Sequence, residues 1–105
     1  MTRVDTDALE IVINTCLENS MDLRFTPQQR AEFLETGYSL RPQLLKLLSA
    51  EFTDNTPQVA EVNRQLKALN TALRAGAANL AETASTLANV ARLVGTIDGL
   101  LGLVV

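Results

Sequence analysis

The chain has 105 residues, of which 47% are hydrophobic and only 4% aromatic, and its formal net charge is −3. A single small domain of this length can bury a modest core, and a core so poor in aromatic residues favours helices over sheets. The acidic balance argues against a nucleic-acid surface, which needs clustered Lys and Arg. The chain has no His and a single cysteine, Cys16, so the commonest general base and an intrachain disulfide are both excluded.

The first predicted helix spans about residues 6–21. An apolar stripe with the i, i+3, i+4, i+7, i+8 spacing of one helix face runs along it: Leu9, Val12, Ile13, Cys16 and Leu17. We expect Met21 to extend this stripe by a turn, and Leu23 and Phe25 to tuck under the connection that follows. Cys16 has no base or cation beside it in this pattern, so we interpret it as a buried structural thiol.

The second predicted helix spans about residues 27–52 and begins at the motif Thr26-Pro27-Gln28-Gln29. Thr26 can cap the helix while Gln29 reaches back to the cap. The expected apolar stripe is interrupted at Arg41 and widened by other leucines on one side: Ala31, Leu34, Tyr38, Leu45, Leu48 and Phe52, with Leu40, Leu44 and Leu47 beside them. Pro42 cannot donate to the Tyr38 carbonyl, which predicts a kink between residues 37 and 42, or two shorter helices. We expect the Tyr38 ring to pack inside that kink.

The third predicted helix spans about residues 57–104 and carries the strongest pattern in the chain. Leu or Val stands at every seventh position: 59, 66, 73, 80, 87, 94 and 101. Partner residues three positions later complete the alternating spacing of a coiled coil: Val62, Leu69, Gly76, Thr83, Val90, Ile97 and Val104. Every charged side chain in the stretch except Asp98 falls at an outward position. Gly76 and Gly95 are candidate breaks, but the heptad keeps its phase across both, which predicts one continuous helix about 70 Å long.

This long helix is the predicted interaction element. Its positions beside the seam are small or neutral, which makes the apolar face wide and favours a bundle over a two-stranded coil. The simplest alternative is a core helix packed on the chain's own first two helices. If that cover is incomplete, we expect a homo-oligomer or a helical protein partner to bind the seam, and a charge at Leu87 to disrupt the complex. The predicted interaction residues are Leu73, Gly76, Leu80, Leu87, Val90, Val94, Ile97 and Leu101.

The C-terminal tail supports a second reading, in which the chain is membrane-active. From Leu87 to Val105 only Arg92 and Asp98 are charged, so the segment approaches the length of a membrane span. Gly95 and Gly99 have the small-xxx-small spacing of closely packed membrane helices. The alternative function is therefore insertion of this segment into lipid, as a pore-forming or lipid-binding helix.

No set of residues in the sequence predicts catalysis. Glu32 and Glu35 share a helix face but have no His partner, and no glycine loop follows a strand, so we expect no enzyme activity, cofactor, metal site or small-molecule substrate. The N-terminus has no apolar signal core, which predicts a cytoplasmic protein. In size and helical content the chain resembles the small secreted helical-hairpin proteins with a Trp-x-Gly turn and the needle subunits of type III secretion. It has no Trp, and residues 54–57 match only part of the Pro-x-Asn-Pro turn of the needle subunits.

The sequence thus predicts an all-α fold. The expected architecture is a small antiparallel helical bundle or hairpin, forming a single domain over residues 1–105 and ending in a long coiled-coil-like helix.

Overall fold

The chain folds into four helices in a computed structural model that describes residues 3–53, 56–75 and 81–104. The helices are α1 (Thr6–Asn19), α2 (Pro27–Ser49), α3 (Pro57–Ala75) and α4 (Thr83–Leu101). The described residues contain no β-strand. The predicted all-α class is therefore confirmed, whereas the predicted division into three helices is not.

The first helix follows its predicted pattern. Asp5 caps it, with the carboxylate accepting a hydrogen bond from the Ala8 backbone N–H at 3.0 Å. The four residues Leu9, Val12, Ile13 and Cys16 are buried, and Leu17 packs partly against them. The helix ends at Asn19, and Met21 beyond it is 75% exposed, so the expected extension of the stripe was wrong.

The connection between α1 and α2 buries one of its two apolar residues. Phe25 is buried and its ring packs edge-on against Phe33, with the ring centroids 5.1 Å apart. Leu23 is 81% exposed, so the expectation that it tucks under the connection was wrong. This edge-to-face arrangement is one that aromatic pairs prefer.

The second helix starts as predicted and then turns a different face inward. Thr26 Oγ1 accepts from the Gln29 backbone N–H at 3.1 Å, and Gln29 Oε1 accepts from the Thr26 N–H at 3.0 Å, which confirms the capping box. The predicted stripe is not the buried one. The core-facing residues are Phe33, Gly37, Leu40, Gln43 and Leu47. Two of the leucines that were expected only to widen the stripe, Leu40 and Leu47, are therefore the ones that are buried.

Pro42 lies inside α2, and the helix continues past it to Ser49, so the predicted alternative of two shorter helices was wrong. Pro42 and Tyr38 are both on the exposed side of the helix. The Tyr38 carbonyl that Pro42 leaves without an intrahelical donor can therefore bond to water. Tyr38 is 56% exposed, so its ring does not pack inside a kink as expected.

The predicted long third helix was wrong as a continuous element. The Gln65 side-chain amide on α3 donates to Thr96 Oγ1 on α4 at 3.1 Å. In one straight helix these two residues would be about 46 Å apart, at about 1.5 Å per residue. The chain therefore folds back on itself between Ala75 and Thr83, and α3 and α4 form an antiparallel hairpin. Within α4 the helix does run unbroken through Gly95.

The two hairpins, α1–α2 and α3–α4, pack side by side as a four-helix bundle measuring 42 × 21 × 19 Å. Each helix has two main neighbours: α1 contacts α2 and α3, and α4 contacts α2 and α3. Side chains of Asn63 and Asn70 reach backbone atoms of Arg3 and Ala8, so α3 runs parallel to α1. α2 and α3, although consecutive in the chain, therefore lie diagonally across the bundle from each other.

The core is aliphatic along its whole length, as the composition indicates. Its fully buried large side chains come from all four helices: Leu9, Phe33, Leu40, Leu66, Leu93, Ile97 and Leu100. Close packing also sets the α1–α2 distance at Gly37, where an added Cβ would lie 3.0 Å from Leu17 Cδ2. Gly37 therefore permits the close approach of these two helices.

Candidate interaction surface

The structure places most of the predicted interaction residues inside the chain's own core. Leu73, Leu87, Val90 and Ile97 are at most 5% exposed. Val94 and Leu101 are partly buried and pack against the same core. The remaining two, Gly76 and Leu80, lie outside the described residues. None of the six described side chains forms an open apolar surface, so contact with a second molecule through them stays a prediction that requires the bundle to open.

The inward face of α4 also differs from the predicted heptad. Leu93 and Leu100, which the heptad places beside the seam, are fully buried, while Val94 and Leu101 are only partly buried. α3 keeps the predicted face, with Val59, Val62, Leu66, Leu69 and Leu73 inside. The buried face of α4 is therefore rotated around the helix axis from the predicted seam, whereas that of α3 is not.

Polar side chains beside the predicted seam join neighbouring helices, a role that the sequence reading missed. Asn63 Oδ1 accepts from the Asp5 backbone N–H at 2.7 Å, and its amide donates to the Arg3 carbonyl at 2.8 Å. One heptad later, the Asn70 amide donates to the Ala8 carbonyl at 3.3 Å. Asn63 and Asn70 are seven residues apart, and this repeat is the sequence pattern that could have predicted the contacts.

A second polar contact joins α2 to α4. The buried Gln43 amide donates to the Val94 carbonyl at 3.0 Å and to Asp98 Oδ1 at 2.8 Å. Asp98 is the one charged residue that the heptad does not place outward, and this bond accounts for it. Gln43 Oε1 is buried without a hydrogen-bond partner among the described residues. The contact therefore fixes the α2–α4 pairing and leaves one polar atom unsatisfied.

The largest exposed apolar feature with a regular pattern lies on α2. We call it the outer stripe, and it consists of Leu34, Tyr38, Leu45 and Leu48, which are 38%, 56%, 69% and 62% exposed. Arg41 occupies the position between Tyr38 and Leu45, so the spacing along the helix alternates between four and three residues. This is the predicted stripe of α2, and it stays exposed because another face of the same helix, about 120° away around the axis, fills the core.

The charge within the outer stripe is positive. Arg41 is exposed in its middle, and it makes no ion pair with any residue that the structure describes. Arg30 precedes Leu34 by one helical turn, and its buried Nε has no hydrogen-bond acceptor in the described part of the chain. Glu35, next to Leu34 in the chain, is the exposed acidic residue nearest to the stripe in sequence.

The described residues offer little for catalysis or metal binding. No three of their Cys, Asp and Glu side chains are grouped closely enough to hold a metal ion. Cys16 is buried, as predicted, and its burial raises the pKa of the thiol from 9.0 to about 11, so it is a poor nucleophile at neutral pH. Two open clefts between helices are lined mainly by small or neutral residues; one also has Arg64 and Arg92, and the other has Glu32 and Glu35.

No protein-family model, curated protein or solved structure is significantly similar to the chain. Among the helices that the structure describes, none combines the length and hydrophobicity needed to cross a bilayer. On the exposed surface of the described residues, the outer stripe is the most regular apolar feature.

Proposed function

We propose that this chain is a non-enzymatic helical bundle that binds another protein through the outer stripe of α2. The observation that carries the proposal is that α2 is apolar on two sides. One side is already committed to the core through Phe33, Leu40 and Leu47. The other presents four large apolar side chains to solvent at regular helical spacing. Single exposed apolar residues are ordinary, but a contiguous patch of them is typical of an interaction surface.

The stripe has the geometry of one side of a helix–helix contact. From Leu34 to Leu48 it runs about 21 Å, at about 1.5 Å per residue. Its alternating spacing of four and three residues is the pattern that packs knobs into holes against a second helix. A helix laid along the stripe would extend the bundle by one more element and bury these side chains.

The energetics favour a complex of low affinity through the stripe alone. Its four side chains are only partly exposed, so burying the remainder contributes on the order of 3–7 kcal/mol. Association opposes this with a cost of about 4–15 kcal/mol for lost freedom of motion. We therefore expect a stable complex to contact additional surface of the bundle.

Site-specific photocrosslinking in the source cells tests the proposal. A benzoylphenylalanine in place of Leu45 should give an adduct of one defined mass. The matched control is the same crosslinker in place of Lys67, which is exposed on α3. No adduct from the Leu45 position, or the same adducts from both positions, would contradict the proposal.

A second candidate is self-assembly through the predicted seam, and the heptad pattern favours it. Leu or Val occupies every seventh position from Val59 to Leu101, and no proline follows Pro57. Such a sequence is compatible with one continuous helix, so two copies could exchange their α3–α4 segments and bury the same leucines between chains. Light scattering at low and high concentration, after refolding at each, tests this candidate, and a monomer under both conditions would exclude it.

A further inference from the structure

We infer that the partner of the outer stripe is an acidic amphipathic helix that places a carboxylate opposite Arg41. This inference rests on the proposed function and specifies the partner of the same surface. It follows from the charge of the stripe, from the geometry of self-pairing and from the shape of the surface.

The charge of the stripe points to an acidic partner. Arg41 lies at its midpoint and Arg30 one turn before its first residue. Neither guanidinium takes part in an ion pair with the described residues. A partner that covers the stripe with apolar atoms alone would remove Arg41 from water without a counter-charge, which is costly. A carboxylate at the matching position accepts hydrogen bonds from the guanidinium, often in pairs, and offsets that cost.

Self-pairing of the stripe is unfavourable for the same reason. In a two-fold antiparallel dimer of α2, Leu34 would lie across from Leu48 of the second copy, since the contact repeats itself about its centre. That centre falls at residue 41, so the two Arg41 side chains would meet in the middle of the interface. Like charges opposed in this way destabilise a complex. The surface therefore fits a different protein better than a second copy.

The shape of the surface favours a helix over a membrane. The apolar side chains form one narrow row along α2, rather than a broad face that could lie in a lipid surface. A single helix of about 15–18 residues matches the row in length.

Three peptides test the inference directly. They are fluorescein-labelled amphipathic helices of about 18 residues, identical except that the central seam position carries Glu, Gln or Lys. Fluorescence anisotropy with the full chain should show the Glu peptide binding at least about tenfold more tightly than the Lys peptide, with Gln between them. The Arg41→Glu variant should reverse this order.

A matched control separates local pairing from overall charge. Lys67→Glu makes the same charge change on α3, at another exposed position, and should leave the order of the three peptides unchanged. Both substitutions are on the surface, and circular dichroism verifies that both variants fold. An order that Arg41→Glu does not reverse, or that Lys67→Glu also reverses, would overturn the inference.

The remaining outcomes distinguish this inference from the proposed function. If Leu45 crosslinks a partner but the peptides show no charge preference, the stripe binds protein and the acidic helix is wrong. A concentration-dependent dimer that Leu45→Glu abolishes would identify a second copy as the occupant. Co-sedimentation with anionic phosphatidylserine vesicles, lost in Arg41→Glu while the peptides fail to bind, would identify a lipid surface. Each of these three results contradicts the inference.

Discussion

The N-terminal hairpin α1–α2 exposes several large apolar side chains, whereas the helices of the C-terminal hairpin α3–α4 bury theirs. Residues 1–56 carry nine acids and five bases, a net charge of −4, whereas residues 57–105 carry three acids and four bases, a net charge of +1. The charge-poor half is the better covered. Over its described helices it exposes no large apolar side chain, and Leu103 and Val104 follow the end of α4. The exposed large apolar residues of the N-terminal half are Ile11, Met21, Leu23, Leu34, Tyr38, Leu45 and Leu48.

The difference shows that a low density of charge does not identify an interaction surface by itself. α4 has few charges because most of its exposed positions carry small neutral residues, such as Ala84, Ala88 and Ala91. α2 has more charges and still presents apolar residues on its outer side. The informative feature is a helix with more apolar residues than its neighbours can cover.

Matched alanine substitutions give the largest expected contrast between the two hairpins. Leu93→Ala removes a fully buried side chain from α4 and should lower the free energy of unfolding by about 2–5 kcal/mol. Leu45→Ala removes a side chain that is 69% exposed on α2 and should change it by no more than about 0.5 kcal/mol. Urea denaturation followed by circular dichroism measures both. Equal losses would show that the outer stripe belongs to the folding core.

Thiol labelling tests whether the two hairpins open together. Cys16 is fully buried, so Ellman's reagent should label it at least about a hundredfold more slowly than an exposed Leu45→Cys in a Cys16→Ala background. Val90→Cys in the same background reports on α4, where Val90 is also fully buried. We expect Cys16 and Val90→Cys to be protected about equally, as in one cooperative unit. Much faster labelling at position 90 would show that the C-terminal hairpin opens alone, as exchange between copies requires.

The same cysteine predicts a pH dependence of stability. Burial raises the pKa of the Cys16 thiol from 9.0 to about 11, so the unfolded chain loses this proton first as the pH rises. The stability that the neutral thiol contributes is therefore complete below pH 9.0 and is lost progressively towards pH 11. Urea titrations across this range should show a steeper loss for the native chain than for Cys16→Ala. Parallel losses would indicate that other groups account for the alkaline dependence.

Gln43 tests how the hairpins are joined. Gln43→Ala removes the donor to Asp98 and the Val94 carbonyl and leaves a cavity, and it should cost about 1–3 kcal/mol of stability. Gln43→Met keeps the volume and also removes the unsatisfied Oε1, so we expect a change of less than about 1 kcal/mol. Thermal unfolding of the two variants separates the effect of lost side-chain volume from the effect of lost hydrogen bonds. An equal loss of stability in both would show that the hydrogen bonds dominate.

Local features of the fold were predictable because they depend on neighbours in sequence. The capping box at Thr26 and the apolar face of α1 needed only spacing and side-chain chemistry, and both are confirmed. The heptad from Val59 to Leu73 also identified the buried face of α3. These segments carry one dominant apolar stripe, so only one orientation buries it.

The arrangement of the helices was not predictable in the same way. A heptad that keeps its phase does not record whether the chain turns between Ala75 and Thr83, because each arm of a hairpin needs an apolar face of its own with the same helical periodicity. On α2 the sequence offers two apolar faces of similar strength, and the face that enters the core is the one that carries Gly37, where α1 approaches closely. The identity of the exposed stripe therefore depended on tertiary packing.

Helix capping provides a smaller contrast between the hairpins. Thr26→Ala removes the side-chain acceptor at the start of α2 and should cost about 1 kcal/mol. Glu82, at the corresponding position of α4, makes no side-chain cap bond, and Glu82→Ala should change stability by only a few tenths of a kcal/mol, by the same reasoning. Urea denaturation measures both, and Thr26→Ser should recover most of the loss. Comparable losses at the two caps would contradict the assignment of the capping box as a stabilising element.

The smallest expected effect concerns an exposed carboxylate of the C-terminal hairpin. A hydrogen bond from Arg64, and to a lesser extent one from Gln65, lowers the pKa of Glu61 from its usual 4.5 to about 2. Because the folded-state pKa is lowered, this contribution to stability is present above pH 4.5 and is lost as the pH falls towards 2. Exposure and salt screening keep this contribution small. The test is to plot the urea midpoint of unfolding against pH for the native chain and for Glu61→Gln. We expect the midpoint of Glu61→Gln to fall less steeply between pH 4.5 and pH 2. An equally steep fall would mean that solvent already separates Glu61 from Arg64, and that the C-terminal hairpin is held by burial and by its contacts with α1 and α2 alone.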